Sequence, residues 1–246
     1  MLTIKELLID HCGPAAVFDR HLAWHQAKAS SYCDLIEAAL QSAATPVLIE
    51  LDPDIDRLSQ CILVDHHNER AGADQPTSLE QIFALLNLPQ SAWTRHLQLV
   101  AANDRGWIPE LRALGASNEE INSIRQMDRA AQGVEKHHET AARDALNQAQ
   151  WYADLTLLLV RLPHAKTSPV TDALALKYQA PPNTLIISPD EVNFSGRGHL
   201  VEALSQAFEG GWKGGALPAA GFWGRSGTPP QIDTILHVLR QAQSSA

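Results

Sequence analysis

The chain has 246 residues, of which 45% are apolar and 19% are charged, so it can bury the core of one large domain or of two smaller ones. Its formal net charge of −9 argues against a broad grip on duplex DNA, which requires many Lys and Arg side chains to neutralise phosphates. A nucleotide or a short oligonucleotide is compatible with this charge.

The N-terminal residues and the cysteines bear on location. Charged side chains interrupt the first ten residues, where a secretory signal needs an apolar run, and the three cysteines show no paired spacing. We therefore expect a cytoplasmic protein with reduced thiols. The longest strongly apolar run, 155–160, is far shorter than the roughly 20 residues of a membrane helix, so no membrane partner is expected.

The first half of the chain alternates short apolar runs with helical segments. We interpret residues 7–10, 46–51 and 60–64 as strands, and each run ends at polar residues: Asp10, Asp52 and the triplet Asp65-His66-His67. This alternation indicates βαβ units and a mainly parallel sheet, which binds ligands beyond the carboxyl ends of its strands. The polar residues at these ends are thus candidate site residues.

The second half begins with helical patterns from about 77 to 150, of which the polar stretch 119–150 is predicted to be one connecting helix. Strands are then predicted at 155–162, 184–188 and 191–195, and helices at 200–208 and 231–241. A glycine-dense loop at 209–227 lies between the two helices. The predicted fold is α/β, with a mainly parallel N-terminal domain (1–125), a helical connector (126–152) and a smaller α/β domain (153–246).

The ordered polar residues resemble the motifs of the DHH phosphoesterases, a family that includes RecJ exonucleases, short-oligonucleotide phosphodiesterases and family II inorganic pyrophosphatases. Asp65-His66-His67 matches the signature of the family, with carboxylates before it and Asp104 after it. Residues 193–197, followed by a helix and the run 210–222, resemble the C-terminal domain associated with the family. The two resemblances cover most of the chain.

Carboxylates and an imidazole at strand or helix ends are oxygen and nitrogen ligands that suit Mn²⁺ or a similar divalent ion. Two such ions about 3.5–4 Å apart can activate a water and stabilise a leaving oxygen. The resemblance implies that Asp10, Asp52, His66 and Asp104 are metal ligands. It also implies catalytic roles for Asp65, which would orient a ligand histidine, and for His67, which would lie at the substrate phosphate. Asp54 and Asp56 are alternatives to Asp52 in the same loop.

Two motifs depart from the family pattern. The first family motif, His-x-Asp-x-Asp-Gly, aligned on Gly13, places Leu8, Asp10 and Cys12 at its three ligand positions. Cys12, with His11, is then the nearest substitute ligand, and a thiolate would favour a softer ion. In the glycine loop, the histidine of the family falls on Ala216. We therefore expect one or two ions and weakened or altered chemistry.

The glycine-dense loop is predicted to contact substrate through Ser195, Arg197, Gly211, Gly214 and Gly215, because glycines let backbone N–H groups approach an anion closely. Trp212 and Trp223 either stack on a base or pack the loop.

The leading functional hypothesis is a metal-dependent phosphoesterase that hydrolyses a phosphodiester of a nucleotide or short oligonucleotide held between the two domains. A catalytically degenerate relative that binds a nucleotide or a partner protein is the alternative. An inorganic pyrophosphatase is a further alternative, because it shares the first-domain motifs.

Overall fold

The computed structural model describes residues 1–22, 26–66, 75–215 and 217–244. The chain divides into two units of similar length, Met1–Ile124 and Arg125–Ala246, and the division falls within helix α5, Asn118–Ala131. The stretch predicted as a connector, 126–152, belongs to the second unit. It is not one helix, because α5 and helix α6 (Lys136–Asn147) are separated at Gly133, which has a φ of 72°.

The first unit contains a two-stranded parallel sheet, with β1 at Val47–Ile49 and β2 at Ile62–Val64. Its helices before α5 are α1 (Leu2–Cys12), α2 (Cys33–Gln41), α3 (Ser78–Leu85) and α4 (Arg95–Ala113). Ile49 lies opposite Val64, so both strands end at the same edge. The parallel pairing agrees with the prediction, although the described residues of this unit form only two strands.

The prediction of a strand at residues 7–10 is wrong, because these residues lie within α1. Ile4 is buried, and Leu7 and Leu8 pack against the hydrophobic cluster that contains Val64 and Ile82. A spacing of three and four residues places these side chains on one face of a helix. The four residues 7–10 are too few to show a helical period, which becomes visible when Ile4 is included. The apolar residues therefore form one face of a helix.

Helix α4 breaks sharply in its middle. Gly106 (φ −162°) and Trp107 (φ 59°, ψ −142°) have non-helical dihedral angles. Pro109 follows, and it has no N–H to donate to the carbonyl oxygen of Arg105. The first part of α4 thus ends at Arg105, directly after Asp104.

The second unit is built on a six-stranded mixed sheet in the order β3-β4-β5-β6-β8-β7. Its strands are β3 (Gln150–Tyr152), β4 (Leu157–Arg161), β5 (Asn183–Ile187), β6 (Glu191–Arg197), β7 (Trp212–Gly214) and β8 (Ala220–Ser226). Among the described residues of this sheet, β4 and β5 pair in parallel and the other neighbouring strands pair antiparallel. The unit is α/β as predicted, but its sheet is largely antiparallel.

Helices cover the two faces of this sheet unequally. On one face, α8 (Gly198–Ala207) and α9 (Ile232–Ser244) bury a core that includes Phe194 and Trp223. On the other face, α6 and α7 (Ser168–Lys177) pack over β4 and β5. None of the helices among the described residues has the length and apolar character needed to cross a membrane.

Candidate functional site

His66 and Asp104 meet in the first unit. His66 lies two residues after the end of β2, and Asp104 lies near the end of the first part of α4. The Nε2 atom of His66 is 3.3 Å from Oδ2 of Asp104. Two residues that the sequence places in one site are thus in contact.

Glu50 completes the cluster from the other side of the imidazole ring. It directly follows β1, and its Oε1 lies 2.9 Å from Nδ1 of His66. The Ser78 hydroxyl donates to the same Oε1, and its Oγ is 3.2 Å from Nδ1. The exposed fractions of the side chains are 7% for Glu50, 14% for His66 and 42% for Asp104, so Asp104 is the accessible member.

The two carboxylates determine the charge of the ring. Hydrogen bonds to Asp104 and Glu50 raise the pKa of His66 to about 10, although burial of the ring opposes this. His66 is therefore an imidazolium at neutral pH, held between two negative charges.

The two predicted catalytic residues flank His66 in sequence. The backbone carbonyl of Asp65 accepts a hydrogen bond of 2.8 Å from Nε2 of Gln81. This bond fixes the chain at the end of β2. His67 lies outside the described residues.

The remaining predicted ligands do not join the cluster. Asp10 and Cys12 are exposed on α1. Asp52 is exposed in the loop after β1, where its backbone bonds to Ala27 and Ala29. Its neighbour Asp54 accepts hydrogen bonds from the backbone N–H and the hydroxyl of Ser30. The order of these carboxylates along the sequence therefore does not translate into one shared point.

The fit of a metal can be judged from the donor atoms. Glu50, His66 and Asp104 are suitable ligand types for a divalent ion. However, Nδ1 of His66 contacts Glu50 and its Nε2 contacts Asp104, so neither ring nitrogen is open to an ion in this arrangement. Within the described ranges, no three His, Cys, Asp or Glu side chains are arranged to hold an ion. These residues do not fit a two-ion centre.

Sequence reasoning missed Glu50 and Ser78. The strand predicted at 46–51 corresponds to β1, which ends at Ile49. Glu50 therefore takes the strand-end position that was assigned to Asp52. Pairing the two parallel strands at equal length would have found Glu50, because its N–H donates to the Val64 carbonyl across the pair. Ser78 is the first residue of α3, and only the fold brings it to Glu50.

A second candidate region lies in the second unit, on the face of the sheet opposite α8 and α9. Ser195 pairs with Phe222 and Arg197 with Ala220 across β6 and β8, so these side chains share one face. Trp212 pairs with Gly224 on the same face. Phe222 and Trp212 are 47% and 42% exposed, whereas Trp223 points into the core and is 1% exposed. Only Trp212 of the two tryptophans can meet a ligand.

The glycines of this region have a packing role. A Cβ at Gly211 would lie 2.7 Å from the Gly224 carbonyl oxygen, and one at Gly214 would lie 2.6 Å from the Phe222 ring. Gly215 has a φ of 99° and lies against Gly221. The glycines thus allow β7 to approach β8 closely. Ala216, at the position of the family histidine, lies outside the described residues.

Comparisons with known proteins give little about function. No protein-family model and no curated protein matches the chain. The crystal structure of an exopolyphosphatase-related protein from Bacteroides fragilis is similar, with a TM-score of 0.43 and 13% sequence identity, over 91% of this chain and 68% of that one. The function must therefore be argued from the residues of the site.

Proposed function

We propose that the chain is a phosphoesterase-type hydrolase that acts on a nucleotide or a short oligonucleotide. The observation that carries this proposal is the 3.3 Å contact between His66 and Asp104, residues far apart in sequence that the DHH-like motif order assigns to one site. His66 and its partner Glu50 lie at the carboxyl ends of a parallel strand pair, where ligands bind in such sheets, and Asp104 approaches this edge from α4.

The chemistry assigned to this cluster is proton transfer. His66 carries a proton that a leaving oxygen requires, and Glu50 and Ser78 orient its ring through Nδ1. Asp104 is the exposed carboxylate through which protons exchange with substrate or water. Asp65, and His67 by its place in the sequence, are assigned to the site with His66.

A cation is part of the proposal for an electrostatic reason. Glu50 and Asp104 together carry two negative charges, and the His66 ring carries one positive charge, so the cluster has a net negative charge. It therefore repels a phosphoester anion unless a cation compensates this charge. A divalent ion, Mn²⁺ by resemblance, would supply this positive charge at the carboxylate of Asp104, which is 42% exposed. Since Asp10, Cys12 and Asp52 lie apart from the cluster among the described residues, we propose one ion, not two.

Substrate contact is assigned to the exposed sheet face of the second unit. Arg197 and Ser195 provide donors for a phosphate, and Trp212 and Phe222 provide exposed rings on which a base can stack. Gly211, Gly214 and Gly215 keep the β7–β8 segment close to this face.

Hydrolysis assays with the purified chain test the proposal. The substrates are a dinucleotide, an oligonucleotide of a few residues and pyrophosphate, each with Mn²⁺ and with EDTA. We expect the parent to hydrolyse a nucleotide phosphodiester, Asp104→Asn and His66→Gln to lose this activity, and Asp144→Asn to retain it. Asp144 is an exposed aspartate on α6 and serves as the matched control.

The alternatives give different results. Hydrolysis of pyrophosphate alone would favour a pyrophosphatase. A parent that binds the dinucleotide but hydrolyses nothing would favour the catalytically degenerate binding protein, for which the separation of Asp10 and Asp52 from the cluster is the supporting observation. Equal hydrolysis by the parent and by Asp104→Asn would place the reacting site elsewhere.

A further inference from the structure

Arg105 directly follows Asp104 and makes a second contact at the end of the same helical segment. Its Nη2 lies 2.6 Å from both carboxylate oxygens of Glu80. The Glu80 carboxylate is itself fixed, because it accepts hydrogen bonds from the N–H and the hydroxyl of Thr77 in a capping box at the start of α3. Arg105 is thus attached to a well-defined point of α3.

The same turn of α3 also reaches the His66 cluster. Ser78, which lies between Thr77 and Glu80 and is 1% exposed, contacts both Glu50 and His66. The first turn of α3 therefore makes two contacts. Ser78 contacts Nδ1 of His66, and Glu80 binds Arg105 at the end of the first part of α4. The position of Asp104 relative to His66 depends on this shared turn.

The end of the first part of α4, at Arg105, needs such an attachment. Beyond Arg105 the helix breaks at Gly106 and Trp107, and Pro109 cannot donate a hydrogen bond back to Arg105. Helix ends without continuing backbone hydrogen bonds fray. Adjacent helical residues point in different directions, so contacts through Asp104 and through Arg105 together fix the rotation of the helix end.

We propose that Arg105 is a positioning residue, which with Glu80 holds the carboxylate of Asp104 against Nε2 of His66. The inference rests on the proposed function in treating His66 and Asp104 as the reacting pair. It adds that the geometry of this pair is set by the neighbouring ion pair of Arg105 and Glu80.

The chain contains a matched control on the same helix. Arg95, the first residue of α4, pairs with Glu120 at 2.8 and 2.9 Å, and Glu120 bonds to Ser117 as Glu80 bonds to Thr77. This ion pair also joins an arginine to a glutamate, but it lies at the start of α4, whereas Asp104 lies near the end of the first part of α4. A purely structural effect of losing an Arg–Glu pair should appear equally in both variants.

The experiment compares Arg105→Gln, Arg105→Lys and Arg95→Gln by ¹⁵N NMR of the histidine rings, with the His66 signals assigned through His66→Gln. We expect Arg105→Gln to shift the His66 ring signals, Arg105→Lys to restore them in part, and Arg95→Gln to leave them at the parent values. In the hydrolysis assay, Arg105→Gln should lower kcat by about ten- to hundredfold with KM unchanged.

Unchanged His66 signals in a folded Arg105→Gln variant would overturn the inference, as would an equal shift in Arg95→Gln. If Arg105→Gln does not fold, Glu80→Gln provides the same comparison from the other partner. A parent without turnover on any phosphoester would contradict the proposed function, while the NMR comparison would still decide the role of Arg105.

Discussion

Arg125 and Asp172 form a buried ion pair in the second unit, with Nη2 and Oδ1 3.0 Å apart and side chains only 5% and 3% exposed. Arg129 donates to the same carboxylate at 2.6 Å. Asp172→Ala should therefore lower the free energy of unfolding by about 3–5 kcal/mol, because it removes the buried counter-ion of Arg125 and leaves beside it only the partly exposed carboxylate of Asp128. Urea unfolding measures this.

The control for this prediction is Asp144→Ala, which removes an exposed carboxylate and should change the free energy of unfolding by no more than about 0.5 kcal/mol. If Asp172→Ala proved as stable as that control, the buried network would contribute little to the fold.

Restoring the family ligands in the first motif should not create a metal site. Leu8 packs into the hydrophobic cluster of the first unit, and Cys12 is exposed at the end of α1. We expect Leu8→His with Cys12→Asp to bind no more Mn²⁺ than the parent. The free energy of unfolding should fall by about 1–3 kcal/mol, because a polar ring replaces a packed apolar side chain.

Metal stoichiometry and thermal unfolding of the double variant test this expectation, with Cys12→Asp alone as the control that spares the core. If the double variant bound one additional ion per chain and hydrolysed its substrate faster than the parent, the expectation would be wrong. The alignment of Leu8 and Cys12 with the ligands of the family motif would then be correct.

Acidic pH should destabilise the second unit through His164. Burial and the neighbouring rings of His138 and His137 lower the pKa of His164 below its ordinary value. A histidine whose folded-state pKa lies below the unfolded value of about 6.5 stabilises the fold above that pH, and this contribution is lost as the pH falls below it. His164 should therefore contribute less to the stability of the second unit at pH 5.5 than at pH 7.5.

Two ring nitrogens of this cluster accept backbone hydrogen bonds. Nδ1 of His164 accepts from the Lys166 N–H at 3.2 Å, and Nδ1 of His138 accepts from the Glu135 N–H at 2.9 Å. Protonation of His164 at Nδ1 would remove the first of these bonds. Of the charged groups around the cluster, the Glu135 carboxylate lies 3.4 Å from His137, and Lys166 binds the Gln132 carbonyl. Denaturant midpoints of parent and His164→Gln across this pH range should converge at the acidic end, and parallel curves would refute the assignment.

Gly198→Ala should destabilise the second unit more than Gly106→Ala destabilises the first. A Cβ at Gly198 would lie 2.1 Å from the backbone oxygen of Pro218, whereas one at Gly106 would meet the flexible side chain of Glu110. A backbone collision cannot be relieved by a rotamer change, so we expect a loss of about 1–3 kcal/mol or more at Gly198. Calorimetric melting of the two variants makes the comparison, and a smaller loss at Gly198 would contradict it.

Elements with local signals can be predicted from the sequence. Apolar runs bounded by turn residues located β4, β5 and β6 close to their observed bounds, and the helical period located α8 and α9. The order of the motif residues also named His66 and Asp104 together, and the structure places them 3.3 Å apart. Such features need only neighbouring residues or the identity of side chains.

Contacts between residues that are distant in the sequence depend on the three-dimensional fold. It placed β8 between β6 and β7, turned residues 7–10 into part of a helix, and brought Glu50 instead of Asp52 to His66. It also buried Trp223 while leaving Trp212 exposed. These outcomes follow from strand register and from packing against distant elements, and a two-residue difference in where β1 ends decides whether Glu50 or Asp52 reaches the site.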